Sequence, residues 1–182
     1  MAQVVCPTLE DILSKDQCLE NFAGLGTNVY IGLKEDLESE MKMTDGEYST
    51  PVFKAGKGLY KVQAKEDTVG IKGTSNNRRK GFTQEASFSV EAVDKATAKF
   101  ARAVNNLDAF YIFEDSDVSQ IMYHPQHKVI ADSNGISSDT GQKADDDRLI
   151  SFTLKNTHAT YPNEFVATPE AGWDSLLASK SE

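Results

Sequence analysis

The three histidines are the side chains best able to do chemistry, because imidazole binds transition metals and exchanges protons near neutral pH. His124 and His127 stand three positions apart, and His158 follows later in the chain. Such a set could ligate a metal ion. Pro125, however, puts the first two in a turn rather than on one helix face, and no further ligand follows at a fixed offset. We therefore interpret all three as histidines of surface turns and predict no metal site.

The run Asp145-Asp146-Asp147 offers the oxygen ligands that calcium prefers. A dedicated calcium loop spreads its oxygens over alternate positions and ends on a bidentate acid, and the residues as far as Ile150 do not follow that pattern. We interpret the run as a solvated acidic turn that precedes a strand.

Signatures of catalysis are missing from the sequence. It has no Gly-x-Ser-x-Gly nucleophile elbow and no phosphate-binding loop. Gly24-Leu-Gly26 lacks the third glycine and the preceding strand that a dinucleotide site needs. We predict that the protein is not an enzyme and takes no cofactor.

One basic cluster, Arg78-Arg79-Lys80, interrupts a chain that is otherwise acidic. Its three charges are too few to predict a phosphate-binding surface in a protein of net charge −9. Two interpretations stay open. The cluster is either an exposed loop tip or the partner of an acidic patch on an identical neighbour, for which the candidates are Glu35, Asp36 and Glu38.

Length and composition set the class of protein. The chain has 182 residues, of which 39% are hydrophobic, and this suffices for one ordinary domain with its own core. A net charge of −9 argues against binding nucleic acid through phosphate neutralisation and against binding anionic membranes. We expect neither a signal peptide nor a membrane anchor. Cys6 and Cys18 are interpreted as reduced, buried side chains.

The hydrophobic pattern predicts the elements that position these residues. Phe82–Ala92 alternates over its whole length and predicts a strand, with Glu85 and Glu91 on its polar face. Asp94–Leu107 changes to a helical period, with Asp94 as N-cap. Asp108–Glu114 is apolar on both faces, which predicts a central strand. His124–His127 is typical of a hairpin turn, and Asp132–Asp147 of a polar loop.

Together these patterns predict a mainly β (α+β) protein. We expect a β-sandwich or barrel of about eight strands, with one packed internal helix and a short N-terminal helix. The expected organisation is an N-terminal helical segment at 1–25, the β domain at 26–167 and a C-terminal tail at 168–182.

The order of these parts resembles the major tail tube proteins of tailed bacteriophages. The resemblance covers roughly residues 26–167. It rests on the succession of strand, helix, apolar strand, hairpin and acidic loop from Phe82 to Lys155, and on the stretch Thr140–Leu154, which is similar to the part of such proteins that enters a late strand.

The resemblance implies a structural subunit of the virion tail, made in the cytoplasm of the bacterial host. Such subunits form hexameric rings that stack into a tube, and DNA passes through it without specific binding. The implied partners are copies of the chain and other tail proteins. Two alternatives stay open: a non-enzymatic β-barrel binding module, and an inner-tube subunit of a phage-derived injection system.

Within the tube interpretation, Glu85 and Glu91 are the candidates for lumen-facing residues. Polar loops such as 34–51 and 132–147 are expected to make ring-to-ring contacts. The candidates for inter-subunit contact are Arg78, Arg79, Lys80, Glu35, Asp36, Glu38, Asp145 and Asp146.

Overall fold

The structure is a computed structural model, and it describes residues 25–76, 81–91, 93–115, 118–141 and 147–178. The predicted N-terminal helix, Cys6 and Cys18 lie outside these residues. The described elements are β1 (Asn28–Leu33), β2 (Met43–Thr44), β3 (Glu47–Tyr48), β4 (Tyr60–Gln63), β5 (Gly70–Ser75), β6 (Phe82–Glu91), α1 (Lys95–Asn106), β7 (Ala109–Phe113), β8 (Gln120–Met122), β9 (Ile130–Asp139), β10 (Leu149–Ala159) and β11 (Phe165–Val166). Two 3₁₀ turns, Lys34–Asp36 and Trp173–Leu176, complete the set.

The strands form two sheets that pack as a sandwich. The larger sheet has seven strands in the order β2-β3-β11-β8-β7-β1-β4, and the smaller has four in the order β5-β6-β10-β9. The predicted mainly β class with a packed helix is confirmed. Of the two architectures that the sequence left open, the sandwich is correct and a closed barrel is not.

The first hydrophobic core lies between the two sheets. Alternation along β6 turns Gln84, Ala86 and Phe88 inward, as the period of two predicts. Phe88 stacks on its cross-strand partner Phe152 of β10, with ring centroids 4.8 Å apart. The larger sheet supplies the opposite wall with Val29, Ile31, Ala109, Tyr111, Phe113 and Met122.

A second hydrophobic core covers the other face of the seven-stranded sheet. Strand β7 contributes Phe110 and Ile112 to it, while the alternate residues of β7 point into the first core. All five residues of β7 are therefore buried, and the prediction of a central strand is confirmed. Gly32 of β1 pairs directly with Phe110, and a Cβ at this glycine would lie only 2.2 Å from the Phe110 ring.

The C-terminal residues close the second core. Trp173 is 2% exposed, and its Nε1 donates to Ser119 Oγ at 2.9 Å. Leu177 forms a parallel bridge with Leu59, and Asp174 accepts hydrogen bonds from Tyr30 Oη and Lys61 Nζ, each at 3.0 Å. The described part of the expected tail, 168–178, thus packs against the β domain.

Helix α1 begins where the sequence predicts. Asp94 is the N-cap: its carboxylate accepts from the Thr97 N–H at 2.8 Å, and Thr97 Oγ1 accepts from the Asp94 N–H in return. Phe100 meets Phe152 edge to face, and Val104 is buried in the first core. Among the described residues, no helix is both long and apolar enough to cross a membrane.

Three sequence predictions are wrong. The expected loop 34–51 contains β2 and β3, which belong to the larger sheet. The strands on either side of His124–His127 do not form a hairpin, because β8 belongs to the larger sheet and β9 to the smaller. The connection is a corner between the sheets. The predicted loop 132–147 is a strand as far as Asp139. The polar side chains of β9 give no strand pattern, and the strand forms because its backbone pairs with β10.

Candidate functional site

The outer face of the four-stranded sheet is polar and rich in hydroxyl groups. On β6 and β10 every second side chain points away from the core, because strand side chains alternate between faces. Ser87 pairs across the strands with Thr153, and Ser89 pairs with Ser151 through a hydroxyl contact of 2.9 Å. We call this surface the outer face; it comprises Lys72, Thr83, Glu85, Ser87, Ser89, Glu91, Ser151, Thr153 and Lys155.

A ladder of alternating charges crosses the outer face. Glu85 lies 2.6 Å from Lys72 Nζ and 3.6 Å from Lys155 Nζ, and Lys155 reaches Asp132 at 2.9 Å. One charge comes from each of the four strands, so the ladder is neutral overall. The hydrogen bond between Lys155 and Asp132 raises the pKa of the lysine and lowers the pKa of the aspartate, so both stay charged.

Glu91, the other candidate for the lumen, lies at the end of β6. Its carboxylate is 3.3 Å from Lys65 Nζ, which also donates to Asp147 at 2.6 Å. The bond to Asp147 is the main cause of the raised pKa of Lys65. Glu85 and Glu91 thus both point outward, as the strand period predicts, and each has a lysine partner.

Neither margin of the four-stranded sheet is paired with a further strand of the described residues, although helix α1 packs against β9. Within the described residues β5 pairs only with β6, and β9 pairs only with β10. β9 is ten residues long, from Ile130 to Asp139, so the margin that it forms is long. Unpaired strand edges are templates for pairing with another chain, so proteins usually shorten, charge or cover them.

The predicted inter-subunit residues fall into different environments. Glu35 and Glu38 are exposed, as an acidic contact patch requires. Asp36 is 4% exposed, and its carboxylate lies 3.1 Å from Lys57 Nζ, which keeps it within the fold. Arg78, Arg79, Lys80, Asp145 and Asp146 lie outside the described residues.

The fold brings the three histidines together at the corner between the sheets. His127 and His158 stack with ring centroids 3.6 Å apart, and His124 lies 4.6 and 5.9 Å from them. Sequence spacing could not show that His158, at the end of β10, would join the pair.

The hydrogen bonds of His124 disfavour metal binding by the cluster. Its Nδ1 accepts from the N–H groups of Gln126 and His127, both at 3.1 Å, so the ring proton lies on Nε2. Among the described residues, no group of three or more histidine, cysteine or acidic side chains is placed to hold a metal ion. Burial, followed by the nearby His127, His158 and Lys34, lowers the pKa of His124.

Glu164 is a buried carboxyl group that the sequence analysis did not single out. It is 1% exposed, and Oε1 accepts from the Thr160 N–H at 2.8 Å, while Oε2 is buried with no hydrogen-bond partner. Desolvation raises its pKa to about 7. Nothing in the residues around position 164 distinguishes it from an exposed glutamate, because its burial depends on β8 and β11.

Comparisons with models of protein families, with curated proteins and with solved structures find no match for this chain.

Proposed function

We propose that this chain is the structural subunit of a phage tail tube, which assembles into stacked hexameric rings that conduct DNA. The observation that carries the proposal is the four-stranded sheet β5-β6-β10-β9, whose two margin strands pair with no further strand of the described residues and whose outer face is polar. Pairing β9 of one copy with β5 of the next would continue the sheet around a ring and cover both margins.

The dimensions of such a ring suit a channel. Six copies of a four-stranded sheet give a barrel of about 24 strands, which at ~4.8 Å per strand is about 115 Å around and ~37 Å across before strand tilt widens it. Barrels of about 16–18 strands already leave an aqueous channel. The apolar face of the sheet stays on the first core, so the outer face lines the lumen.

The chemistry of the outer face suits the passage of DNA. Lys72 and Lys155 of the outer face are paired with carboxylates in the charge ladder, and the neighbouring Lys65 is paired with Glu91, so these lysines do not offer unbalanced positive charge to phosphates. Serine and threonine hydroxyls between the charges keep the surface hydrated. A wall of this kind lets a polyanion slide instead of holding it.

Proline substitutions in β9 test the proposal at the sheet margin. The N–H groups of neighbouring residues in a strand point to opposite sides. Of the two variants Ser137→Pro and Ser138→Pro, one therefore removes an N–H at the sheet margin, and the other removes an N–H that faces β10. We expect the first kind of variant to stay folded by circular dichroism and to lose rings and tubes in negative-stain electron micrographs. The second kind is the control for damage to the fold.

The parent protein should form rings or tubes in the same micrographs and elute ahead of a 20.0 kDa particle in size-exclusion chromatography. A parent that stays a compact monomer at every concentration would contradict the proposal and favour a binding module. If the variant that lacks a margin N–H stays folded and assembles as well as the parent, pairing through β9 is contradicted.

A further inference from the structure

An apolar groove lies between helix α1 and the β1–β4 margin of the seven-stranded sheet. It has a volume of about 390 Å³ and is open to solvent. Two of the side chains that line it, Tyr60 and Leu107, are 50% and 43% exposed. An exposed apolar surface next to an open strand margin is typical of a contact site. The other apolar walls come from Ile31, Leu33, Val62 and Phe100.

Helix α1, which forms one wall of the groove, has unbalanced positive charge. It carries Lys95, Lys99 and Arg102 and no acidic residue, in a chain whose net charge is −9. None of the three forms an ion pair with another residue of the described part of the chain. Lys61 of β4 lines the opposite wall, and its charge is balanced by Asp174 at 3.0 Å. Lys95, Lys99 and Arg102 do not line the groove itself, so the expected occupant inserts an apolar face and places its acidic side chains outside the groove, toward α1.

We propose that residues 1–24 of the same chain dock in this groove. Leu9, Ile12 and Leu13 have the i, i+3, i+4 spacing by which an amphipathic helix anchors itself in an apolar groove. The segment has one basic residue, Lys15, and four acidic ones, so its side chains sum to 1 − 4 = −3, opposite in sign to α1. The four acids are Glu10, Asp11, Asp16 and Glu20.

The start of the described chain allows the segment to reach the groove. Leu25 packs against the first core, and the Gly26 N–H bonds to the Glu114 carbonyl, which fixes the exit point beside β1. The groove begins near the far end of β1, and six strand positions span ~20 Å. Leu13 lies 12 residues before Leu25, and 12 residues can extend over about 40 Å.

Docking within one chain is favoured over docking between chains at low protein concentration. A tethered segment has an effective concentration in the millimolar range, far above that of a dilute second copy. The inference does not depend on the proposed tail tube function, because it concerns the β1–β4 side of the molecule and not the four-stranded sheet.

Disulfide trapping tests the docking in the full chain. In a Cys6→Ser, Cys18→Ser background, Leu13→Cys is combined with Leu107→Cys in the groove or with Val52→Cys as the control. Val52 is also exposed, but its neighbour Phe53 packs on the second core. Under mild oxidation of dilute protein we expect the Leu107 pair to form an intrachain disulfide at least tenfold faster than the control pair. Equal rates would overturn the proposal, and interchain disulfides would assign the groove to a second copy.

Hydrogen exchange gives a second readout that needs no cysteine. The variant Leu9→Asp, Ile12→Asp, Leu13→Asp should speed amide exchange in β4 and the second half of α1 about tenfold. The control Ser14→Asp, Gln17→Asp, Asn21→Asp adds the same charge and should leave exchange there unchanged. If the anchor variant exchanges no faster than its control, residues 1–24 do not cover the groove.

Discussion

Glu164 and His124 are two residues whose burial shifts their proton equilibria and thereby makes stability depend on pH. Glu164 is buried and His124 is half-buried, and both accept hydrogen bonds from backbone N–H groups of a nearby turn. Their effects on the pH dependence of stability have opposite signs. Burial favours the neutral form of each group, and the neutral form is protonated for a carboxyl group but deprotonated for an imidazole.

The pKa of Glu164 rises from 4.5 to about 7 on folding, so the folded protein holds a proton that the unfolded chain loses between these values. The contribution of Glu164 to the free energy of unfolding therefore falls by up to about 3 kcal/mol as pH rises from 4.5 to 7. Above pH 7 it levels off. Glu164→Gln keeps the acceptor oxygen and stays neutral. We expect it to be more stable than the parent at pH 8 and similar at pH 4.5 in urea unfolding.

The exposed Glu170→Gln is the control for Glu164→Gln and should leave the parent's pH dependence intact. A Glu164→Gln variant with the same decline between pH 4.5 and 7 as the parent would show that another group is responsible.

His124 contributes the opposite slope. Its folded pKa lies below the ordinary 6.5, so the unfolded chain binds the proton more readily and stability falls as pH drops through 6.5. His124→Asn can still accept hydrogen bonds at the turn but does not titrate, so it no longer offsets the effect of Glu164. We expect stability to decline more steeply than in the parent as pH rises from 5 to 7, and the profile to be flat when His124→Asn is combined with Glu164→Gln. His124→Ala loses the acceptor and should be less stable than His124→Asn at pH 8. Equal pH slopes in the parent and His124→Asn would contradict this account.

At the scale of elements, the N-cap of α1 gives a direct test of local energetics. Asp94→Ala removes the acceptor for the Thr97 N–H and should cost about 1 kcal/mol of unfolding free energy. The exposed Asn105→Ala, near the other end of the helix, should change stability by less than about 0.5 kcal/mol. Loss of helical circular dichroism without loss of stability would contradict the role of the cap.

The elements that the sequence predicts correctly are those in which a local pattern and the burial agree. β6 and α1 follow their periods, and β7 is apolar on both faces because a core lies on each side of it. The sequence does not predict β9, because it is a margin strand whose side chains are mostly polar and whose position depends chiefly on backbone pairing with β10. Which sheet a strand joins depends on contacts far along the chain, and the corner at His124–His127 could not be inferred from its turn-like residues.

The outer face shows the same limit on prediction at the candidate site. Alternation along β6 predicts that Glu85 points away from the core. Its partners Lys72 and Lys155 come from β5 and β10, and only the strand order brings them beside it. The polar character of the surface could thus be predicted, and its internal charge balance could not.

At the scale of the whole molecule, residues 168–178 are part of the folded unit. Trp173→Ala should cost about 3–5 kcal/mol, because it empties a large buried site and leaves Ser119 without its donor. Trp173→Phe retains most of the apolar volume and should cost less. Chemical unfolding monitored by circular dichroism measures both, and an Ala variant as stable as the parent would mean that residues 168–178 do not close the second core.

The close pairing of Gly32 with Phe110 has a consequence for how the sequence can diverge. The aromatic ring fills the space that a side chain at position 32 would need, so the sizes of these two residues are not independent. In related sequences a larger residue at 32 should occur together with a smaller one at 110. Such reciprocal variation would identify distant homologues even where the polar surfaces have changed beyond alignment.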